Sequence, residues 1–247
     1  MSGHSKWATT KRKKARIDGA RAKVFNRILR EITVAARMGG SDIEGNHRLR
    51  SAVLKAKGAN MPARNIETAI AKGAGELEGV TYAEITYEGY GPAGTAIMID
   101  TMTDNKVRTV AEIRSIFVKA GGNMGAEGSV AWMFKSKGVI TVAKDVIGED
   151  ALFELITDAG AEDLDSSGTE YEIKVEPEHF HALVETLQAK GVTPLTSEIV
   201  KVADNMVKVT GEEVEKVVKL LETLDDQDDV QNVHTNADLD QKELDNL

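Results

Sequence analysis

The chain has 247 residues, with 31 Lys and Arg against 40 Asp and Glu, 41% hydrophobic and 4% aromatic residues, and no Cys. This length favours two domains, with one or three also admissible, and the apolar fraction is that of a globular protein. The absence of Cys excludes disulfides, thiolate metal sites and Cys nucleophiles. No apolar run approaches the roughly 18 residues that span a bilayer, and the start of the chain has no apolar stretch of a secretory signal. We therefore expect a cytoplasmic protein that does not contact membranes.

Charge is distributed unevenly along the chain. Residues 1–72 contain 17 Lys and Arg and 5 Asp and Glu, a net charge of +12, whereas residues 73–247 have a net charge of −21. Such asymmetry is typical of a basic module that binds a polyanion and is joined to an acidic body. The acidic body would be repelled from phosphate, which would orient the molecule on nucleic acid.

The first residues form a strongly basic segment. Between residues 6 and 16 the chain has six cations and no carboxylate, with Trp7 among them. Cations neutralise phosphates, and a Trp ring can stack on an unpaired base. The predicted nucleic-acid contacts here are Lys6, Trp7, Lys11, Arg12, Lys13, Lys14 and Arg16. A solvated basic face with Trp7 packed in the core is the alternative, and a transit peptide is disfavoured because apolar amphipathicity begins only at Val24.

The next part of the chain predicts three helices. Residues 21–38 have helical periodicity, with an apolar arc opposite a basic arc. Further helices are predicted at about 46–57 and 62–73, followed by a glycine-containing linker at 73–79. Together they predict a small basic bundle over residues 1–75. Its cations predicted to contact phosphate are Lys23, Arg27, Arg30, Arg48 and Arg50.

Beyond residue 80, strands and helices alternate. Residues 137–203 have the order β-α-β-β-α-β of a ferredoxin-like unit. Strands predicted at 95–102, 130–134, 206–209 and 230–234, with the helices between them, predict a second unit of this type. We therefore predict an α+β fold in which an N-terminal helical bundle is followed by two ferredoxin-like α+β domains, one inserted in the other. The predicted domains are residues 1–75, residues 80–135 plus 205–240, and the inserted residues 136–204.

Two glycine-rich loops, GYGPAG at 89–94 and GGNMGAEG at 121–128, are predicted on the same domain as a helix start near residue 104. Polar groups and glycines on loops are where function concentrates. The predicted loop contacts are Tyr90, Gly91, Asp104, Asn105, Arg108, Gly122 and Asn123. The alternative is that these residues only form a hairpin turn and a helix cap. A phosphate-binding loop is followed by a helix, whereas the second loop precedes a strand.

No pattern in the sequence is typical of an enzyme. The HExxH, Walker and Ser-His-Asp patterns are absent, and the aspartate cluster DDQDD at 225–229 lacks the spacing of an EF-hand loop. We interpret this cluster as a solvated turn at a helix end. The sequence thus predicts no catalytic residue, no metal, no cofactor and no small-molecule substrate.

Several short motifs, taken together, resemble the YebC family over essentially the whole chain. In the N-terminal region they are GHSKW at 3–7, K-x₂-K-x₃-D-x₂-R-x-K-x-F at 11–25 and NMP at 60–62. Further along they are YEGYGP-x-G at 87–94, TDN-x₂-RT at 103–109, GGN-x-G-x₂-GSV at 121–130 and DDVQNV at 228–233. Each motif alone is weak, but the joint set is specific. The chain has Asp42-Ile43 where other members commonly carry Asp-Pro, a difference expected to affect only a loop.

The resemblance implies a helical bundle followed by two α+β domains, one inserted in the other. Bacterial members of the family are labelled transcriptional regulators that bind promoter DNA. Mitochondrial members are translational activators, and bacterial relatives have been connected with ribosomes and proline-rich nascent chains. We therefore predict a non-catalytic nucleic-acid-binding regulator of gene expression, with ribosomal RNA as the favoured partner. Promoter DNA is the alternative target, and a protein-interaction scaffold is a third hypothesis.

Overall fold

The structure is a computed structural model that describes residues 19–239 and residue 244. Within these residues it has seven α-helices and ten β-strands. The helices are α1 (Gly19–Gly39), α2 (His47–Gly58), α3 (Ala63–Ala74), α4 (Lys106–Lys119), α5 (Glu149–Asp158), α6 (Phe180–Ala189) and α7 (Glu212–Asp226). The strands are β1 (Ala83–Tyr90), β2 (Ala96–Thr103), β3 (Asn123–Met124), β4 (Phe134–Ala143), β5 (Ala161–Asp165), β6 (Glu170–Val175), β7 (Thr196–Ala203), β8 (Val207–Val209), β9 (Val230–Thr235) and β10 (Ala237–Leu239). No helix in the described part of the chain is long and apolar enough to cross a membrane.

The first three helices pack into a bundle with its own apolar core, which includes Ile32, Leu49 and Ile66. Asn46 fixes the turn between α1 and α2: its side-chain oxygen accepts from the Leu49 amide at 3.1 Å, and its Nδ2 donates to the Ala35 carbonyl at 2.8 Å. This single side chain therefore caps α2 and also ties it to the end of α1. The predicted helical bundle is confirmed.

The first sheet has the strand order β3-β1-β2-β9, and all its neighbouring strands are antiparallel. Helices α4 and α7 contribute to the same core as β2 and β9, with Phe117 and Leu221 fully buried beside Ile97 and Ile99. A short parallel pair, β8 with β10, adds Val209 and Leu239 to this core. Part of the C-terminal region thus completes a sheet begun near residue 83.

The second sheet has the order β5-β6-β4-β7, again antiparallel throughout. Helix α5 lies between β4 and β5 in the chain, and α6 lies between β6 and β7. This connectivity and strand order are those of the predicted ferredoxin-like unit. The α+β class is therefore confirmed, whereas the boundaries 1–75, 80–135 with 205–240, and 136–204 remain the division that we propose.

Two predicted strands of the first α+β unit are wrong in detail. Residues Ala131–Met133 form a 3₁₀ turn instead of a strand, and β3 is the strand that lies at the edge of the sheet beside β1. The amides of Val130 and Ala131 donate to the carboxylate of Glu88 at 2.7 and 2.8 Å, so they are not available to a sheet ladder. Residues 207–209 pair with β10 instead of joining the four-stranded sheet.

Candidate nucleic-acid interface

The basic arc of α1 contacts the acidic body. Lys23 Nζ lies 2.7 Å from Asp226 Oδ1, and Arg27 Nη2 lies 3.0 Å from Asp225 Oδ1. Arg30 Nη1 lies 3.1 Å from Asp229 Oδ1. Three cations predicted to contact phosphate therefore form ion pairs with residues 225–229, and we call this set of contacts the α1 clamp.

Asp229 is the most deeply buried member of the α1 clamp, with a side chain 1% exposed. Its carboxylate accepts from Arg108 Nη2 at 2.8 Å, Thr109 Oγ1 at 2.7 Å and Thr103 Oγ1 at 3.2 Å, besides Arg30. Burial by itself raises the pKa of Asp229, but hydrogen bonds from Arg108 and Thr109 and the charges of Arg108 and Arg30 outweigh it, so the pKa is lowered. The interpretation of the whole aspartate cluster as a solvated turn is wrong for this residue.

The two predicted contacts on α2 also have protein partners. Arg48 Nε lies 2.7 Å from Glu31 Oε1 in α1, and Arg48 Nη2 lies 2.5 Å from Glu84 Oε1 in β1. Hydrogen bonds to Glu84 and Glu31 raise the pKa of Arg48. Arg50 donates through Nε to the Ile43 carbonyl at 3.2 Å. Arg48 thus joins the bundle to the first sheet, and Arg50 stabilises the loop before α2.

The strongly basic segment predicted to bind nucleic acid lies outside the described residues. It comprises Lys6, Trp7, Lys11, Arg12, Lys13, Lys14 and Arg16. Their assignment as nucleic-acid contacts stays a prediction.

The two glycine-rich loops lie against each other. Tyr90 Oη donates to the Ser129 carbonyl at 3.0 Å, and a Cβ on Gly122 would lie 2.5 Å from the Tyr90 carbonyl oxygen and 3.2 Å from the Gly91 Cα. The backbone of the second loop therefore approaches the first more closely than any larger residue allows. Asn123, in β3, pairs with Tyr90 across the strands.

Glu88, which the sequence did not point to, anchors the second loop. Its side chain is 4% exposed, and it accepts from the amides of Gly128, Val130 and Ala131 at 2.7, 2.7 and 2.8 Å. Burial opposes ionisation, but these three backbone hydrogen bonds and the charge of Lys201 lower its pKa. The loop is thus preorganised around a buried carboxylate.

The third predicted group of contacts lies at the start of α4. Asn105 caps the helix, since its Oδ1 accepts from the Arg108 amide at 3.1 Å. Arg108 spans Asp104 Oδ1 and Asp229 Oδ2, at 2.8 Å from each. These contacts are those of a helix cap, which was the alternative to ligand binding. Through Arg108 and Asp229 they also join α4 to the α1 clamp.

Other exposed groups are more available to a ligand than those predicted contacts that fall within the described residues. Trp132 is 70% exposed, and its indole N–H donates to the Ser129 carbonyl at 3.1 Å. Within the described residues, five exposed cations of the bundle have side chains that form no ion pair and no hydrogen bond: Arg21, Arg37, Lys57, Arg64 and Lys72. The spacing of Arg64, Thr68 and Lys72 places all three on one face of α3, a pattern visible in the sequence.

Metal chemistry receives no support from the described side chains. Among residues 19–239 and 244, no group of three or more His, Cys, Asp or Glu side chains is arranged to bind a metal ion. The carboxylate of Asp229 is instead paired with Arg30 and Arg108.

The arrangement defines a class of protein: a basic helical bundle docked on an acidic body of two α+β units. Residues 5–76 match the family model described as the TACO1/YebC protein N-terminal domain, and residues 82–237 match the TACO1/YebC second and third domain. The chain therefore belongs to the TACO1/YebC family. The matches also cover the motifs on which the resemblance was based, apart from the first two residues of GHSKW.

Relatives extend over the full chain. A probable transcriptional regulatory protein of Koribacter versatilis is 51% identical over 247 residues, 100% of this chain and 99% of the relative. A probable transcriptional regulatory protein of Desulfatibacillum aliphaticivorans is 52% identical over 97% of each chain. The crystal structure of a conserved hypothetical protein from Aquifex aeolicus, 43% identical, matches with a TM-score of 0.84 over 92% of this chain and 94% of that one. The fold is thus shared by a solved relative.

Proposed function

We propose that this protein is a non-catalytic regulator of gene expression that binds nucleic acid, with ribosomal RNA as its target. The observation that carries the proposal is the separation of charge, +12 over residues 1–72 against −21 over the remainder. A polyanion is the partner that such a basic module attracts, and counterion release supplies the affinity. Binding and recognition of this kind require no catalytic group.

The names of the relatives support the general part of this proposal. Those of Koribacter versatilis and Desulfatibacillum aliphaticivorans are called probable transcriptional regulatory proteins. Regulation of gene expression by a bundle of this charge implies contact with nucleic acid. The unpaired cations of the bundle supply a positive field in addition to that of residues 6–16.

RNA is favoured over DNA by the way the basic groups are arranged. The cations without a side-chain partner among the described residues lie on three different helices: Arg21 and Arg37 on α1, Lys57 on α2, and Arg64 and Lys72 on α3. Scattered cations suit phosphate contacts, whereas an operator is read by side chains of one element inserted in a groove. We propose that the loops at 89–94 and 121–128 approach RNA or a nascent peptide beside it.

Promoter DNA is the second candidate, and the transcriptional names of the relatives favour it. A footprint on one operator that survives competitor DNA and physiological salt would distinguish this function.

The first test is sedimentation of a cell lysate through a sucrose gradient, with detection of this protein at low and moderate salt. Comigration with ribosomal particles that is lost with salt or after RNase treatment is expected. If the protein remains at the top of the gradient under all conditions, the ribosomal target is wrong and promoter footprinting follows.

The second test neutralises the basic segment. The variant Lys11→Gln/Lys13→Gln/Lys14→Gln should bind every RNA sequence more weakly, with a shallower dependence on salt. A matched control removes three lysines of the acidic body whose side chains pair with no described residue, as Lys119→Gln/Lys190→Gln/Lys219→Gln. Equal affinity of the first variant and the wild type would show that residues 11–14 are not the site.

A further inference from the structure

A cleft of about 520 Å³ lies between α1, α3 and the segment that leads into β1. Its lining includes three cations, Arg30 from α1 and Arg64 and Lys72 from α3. Asn26 and Asn65 add amide groups, and Tyr82 closes one side. The volume is within the range of about 300–1,000 Å³ that is typical of small-ligand sites. A unit of one or two nucleotides is of this size, whereas a duplex is much wider.

The charge of this cleft is entirely positive. None of the residues that line it is an Asp or Glu. Arg64 and Lys72 are exposed, and the side chain of neither forms an ion pair or a hydrogen bond with another described residue. They are therefore available to an anion without breaking an interaction within the fold. Leu29, Ala69 and Val80 form an apolar part of the lining that suits a sugar or a base.

A second cavity borders the first and has the opposite character. It is also about 520 Å³ in volume and shares Arg30 and Tyr82 with the cleft. Its other lining residues include five carboxylates: Asp104, Glu112, Asp226, Asp228 and Asp229. A phosphate is therefore attracted to the α1–α3 side of Arg30 and repelled from the other side.

Arg30 is held in place at the boundary of the two cavities. Its Nη1 donates to the Met102 carbonyl at 3.2 Å and to the Asp228 carbonyl at 2.6 Å, and its guanidinium lies 5.4 Å from the centre of the Tyr82 ring. Because the same guanidinium is paired with Asp229, Arg30 forms the fixed wall between the two cavities, and Arg64 and Lys72 supply the free positive charge of the cleft.

We propose that the cleft between α1 and α3 binds the phosphate and sugar of a single-stranded RNA segment, through Arg64 and Lys72. This assignment rests on the proposed function. It adds where the RNA binds and that the bound RNA is single-stranded. Flexible single strands can place one phosphate in a cleft of this size, which a stiff duplex does not enter.

The test uses the full-length protein and a fluorescein-labelled single-stranded oligoribonucleotide, with anisotropy measured over a series of salt concentrations. The cleft variant is Arg64→Gln/Lys72→Gln. The matched control, Arg37→Gln/Lys57→Gln, removes the same charge from the same bundle outside the cleft. We expect the cleft variant to bind about tenfold more weakly or worse at 0.1 M salt, with a slope of log K against log salt smaller by about 1.4, whereas the control changes less than about threefold.

The outcomes separate the site from the function. Equal losses in the two variants, or no loss in either, would overturn the cleft assignment and leave nucleic-acid binding intact. Equal competition by a duplex of the same sequence would overturn the single-strand assignment. A wild-type protein that binds no RNA would overturn the proposed function and the cleft together.

A second measurement does not depend on substitutions. RNA that contains 4-thiouridine is crosslinked to the wild-type protein, and the attached peptides are identified by mass spectrometry. Crosslinks within residues 63–82 are expected. Crosslinks confined to residues 1–18 would contradict the assignment.

Discussion

Glu88→Gln tests the idea that one buried carboxylate organises the second glycine-rich loop. The carboxylate accepts three amide hydrogen bonds, with Oε1 facing Gly128 and Oε2 facing Val130 and Ala131. A Gln side chain has one acceptor oxygen and one donor nitrogen. In its better orientation the Gln oxygen accepts from the amides of Val130 and Ala131. The Gln nitrogen then faces the Gly128 amide, and two donors cannot form a hydrogen bond.

The magnitude follows from these contacts. The Gly128 amide is only partly buried, so the loss of its acceptor costs about 1 kcal/mol, and each of the two remaining hydrogen bonds weakens by about 1 kcal/mol when its acceptor is no longer charged. Allowing for some relaxation of the loop, we expect a loss of about 3 kcal/mol. Because about 1.4 kcal/mol corresponds to a factor of ten, amide exchange by local opening should become faster by about a hundredfold.

Hydrogen exchange of the peptides that contain Gly128, Val130 and Ala131 measures this directly. The control is Glu127→Gln, since Glu127 is an exposed neighbour with the same change of charge. If exchange at these amides in Glu88→Gln matches that of the control, the carboxylate does not hold the loop and the reasoning is refuted.

The same residue predicts a dependence on pH. Because the folded protein lowers the pKa of Glu88 below its ordinary value of 4.5, the carboxylate stabilises the fold fully above that value. The stabilisation is lost as the pH falls below it. The difference in stability between the wild type and Glu88→Gln should therefore be largest near neutral pH and shrink in acid, as measured by thermal unfolding. A constant difference from pH 7 to pH 3 would contradict the ionised state.

Three further substitutions test other contacts. Asp229→Asn should lower the free energy of unfolding by about 2 kcal/mol, because the buried carboxylate accepts from Thr103 and Thr109 and pairs with the partly buried Arg30. A change below about 0.5 kcal/mol in thermal melts would contradict this role. Gly73→Ala should destabilise the bundle by about 1–3 kcal/mol, because the new Cβ would lie 2.7 Å from the Ala36 Cβ and would also meet the backbone of α1. An unchanged melting temperature would show that α1 and α3 can move apart to accommodate the methyl group without loss of stability. Lys23→Gln should change the free energy of unfolding by less than about 1 kcal/mol, since its partner Asp226 is 80% exposed. A larger loss in denaturant titrations would contradict the view that this ion pair is weak.

Periodicity predicted the elements well because it reports the face that each one buries. The helix predicted at 21–38 and the ferredoxin-like order over 137–203 both appear in the structure. Residues 130–134 were predicted as a strand because they are apolar. Periodicity does not show that another group accepts the backbone hydrogen bonds that a strand would need. The competitor is Glu88, some 40 residues earlier in the chain.

The candidate site was less accessible to sequence reasoning. Charge counting treats Lys23, Arg27 and Arg30 like the other cations, yet their carboxylate partners lie about 200 positions away in the chain. No local pattern reveals such a pairing. Arg64 and Lys72 were not among the predicted contacts either, although their helical spacing places them on one face of α3.

The α1 clamp also has a consequence for the order in which the chain is made. Lys23 leaves the ribosome 203 residues ahead of Asp226, and Arg27 and Arg30 are separated from their partners by nearly as much. At a synthesis rate of about 5–20 residues per second, these cations wait about 10–40 s for their carboxylates. Throughout that interval the new bundle has three more free positive charges than the finished protein, and it has them while still attached to a ribosome.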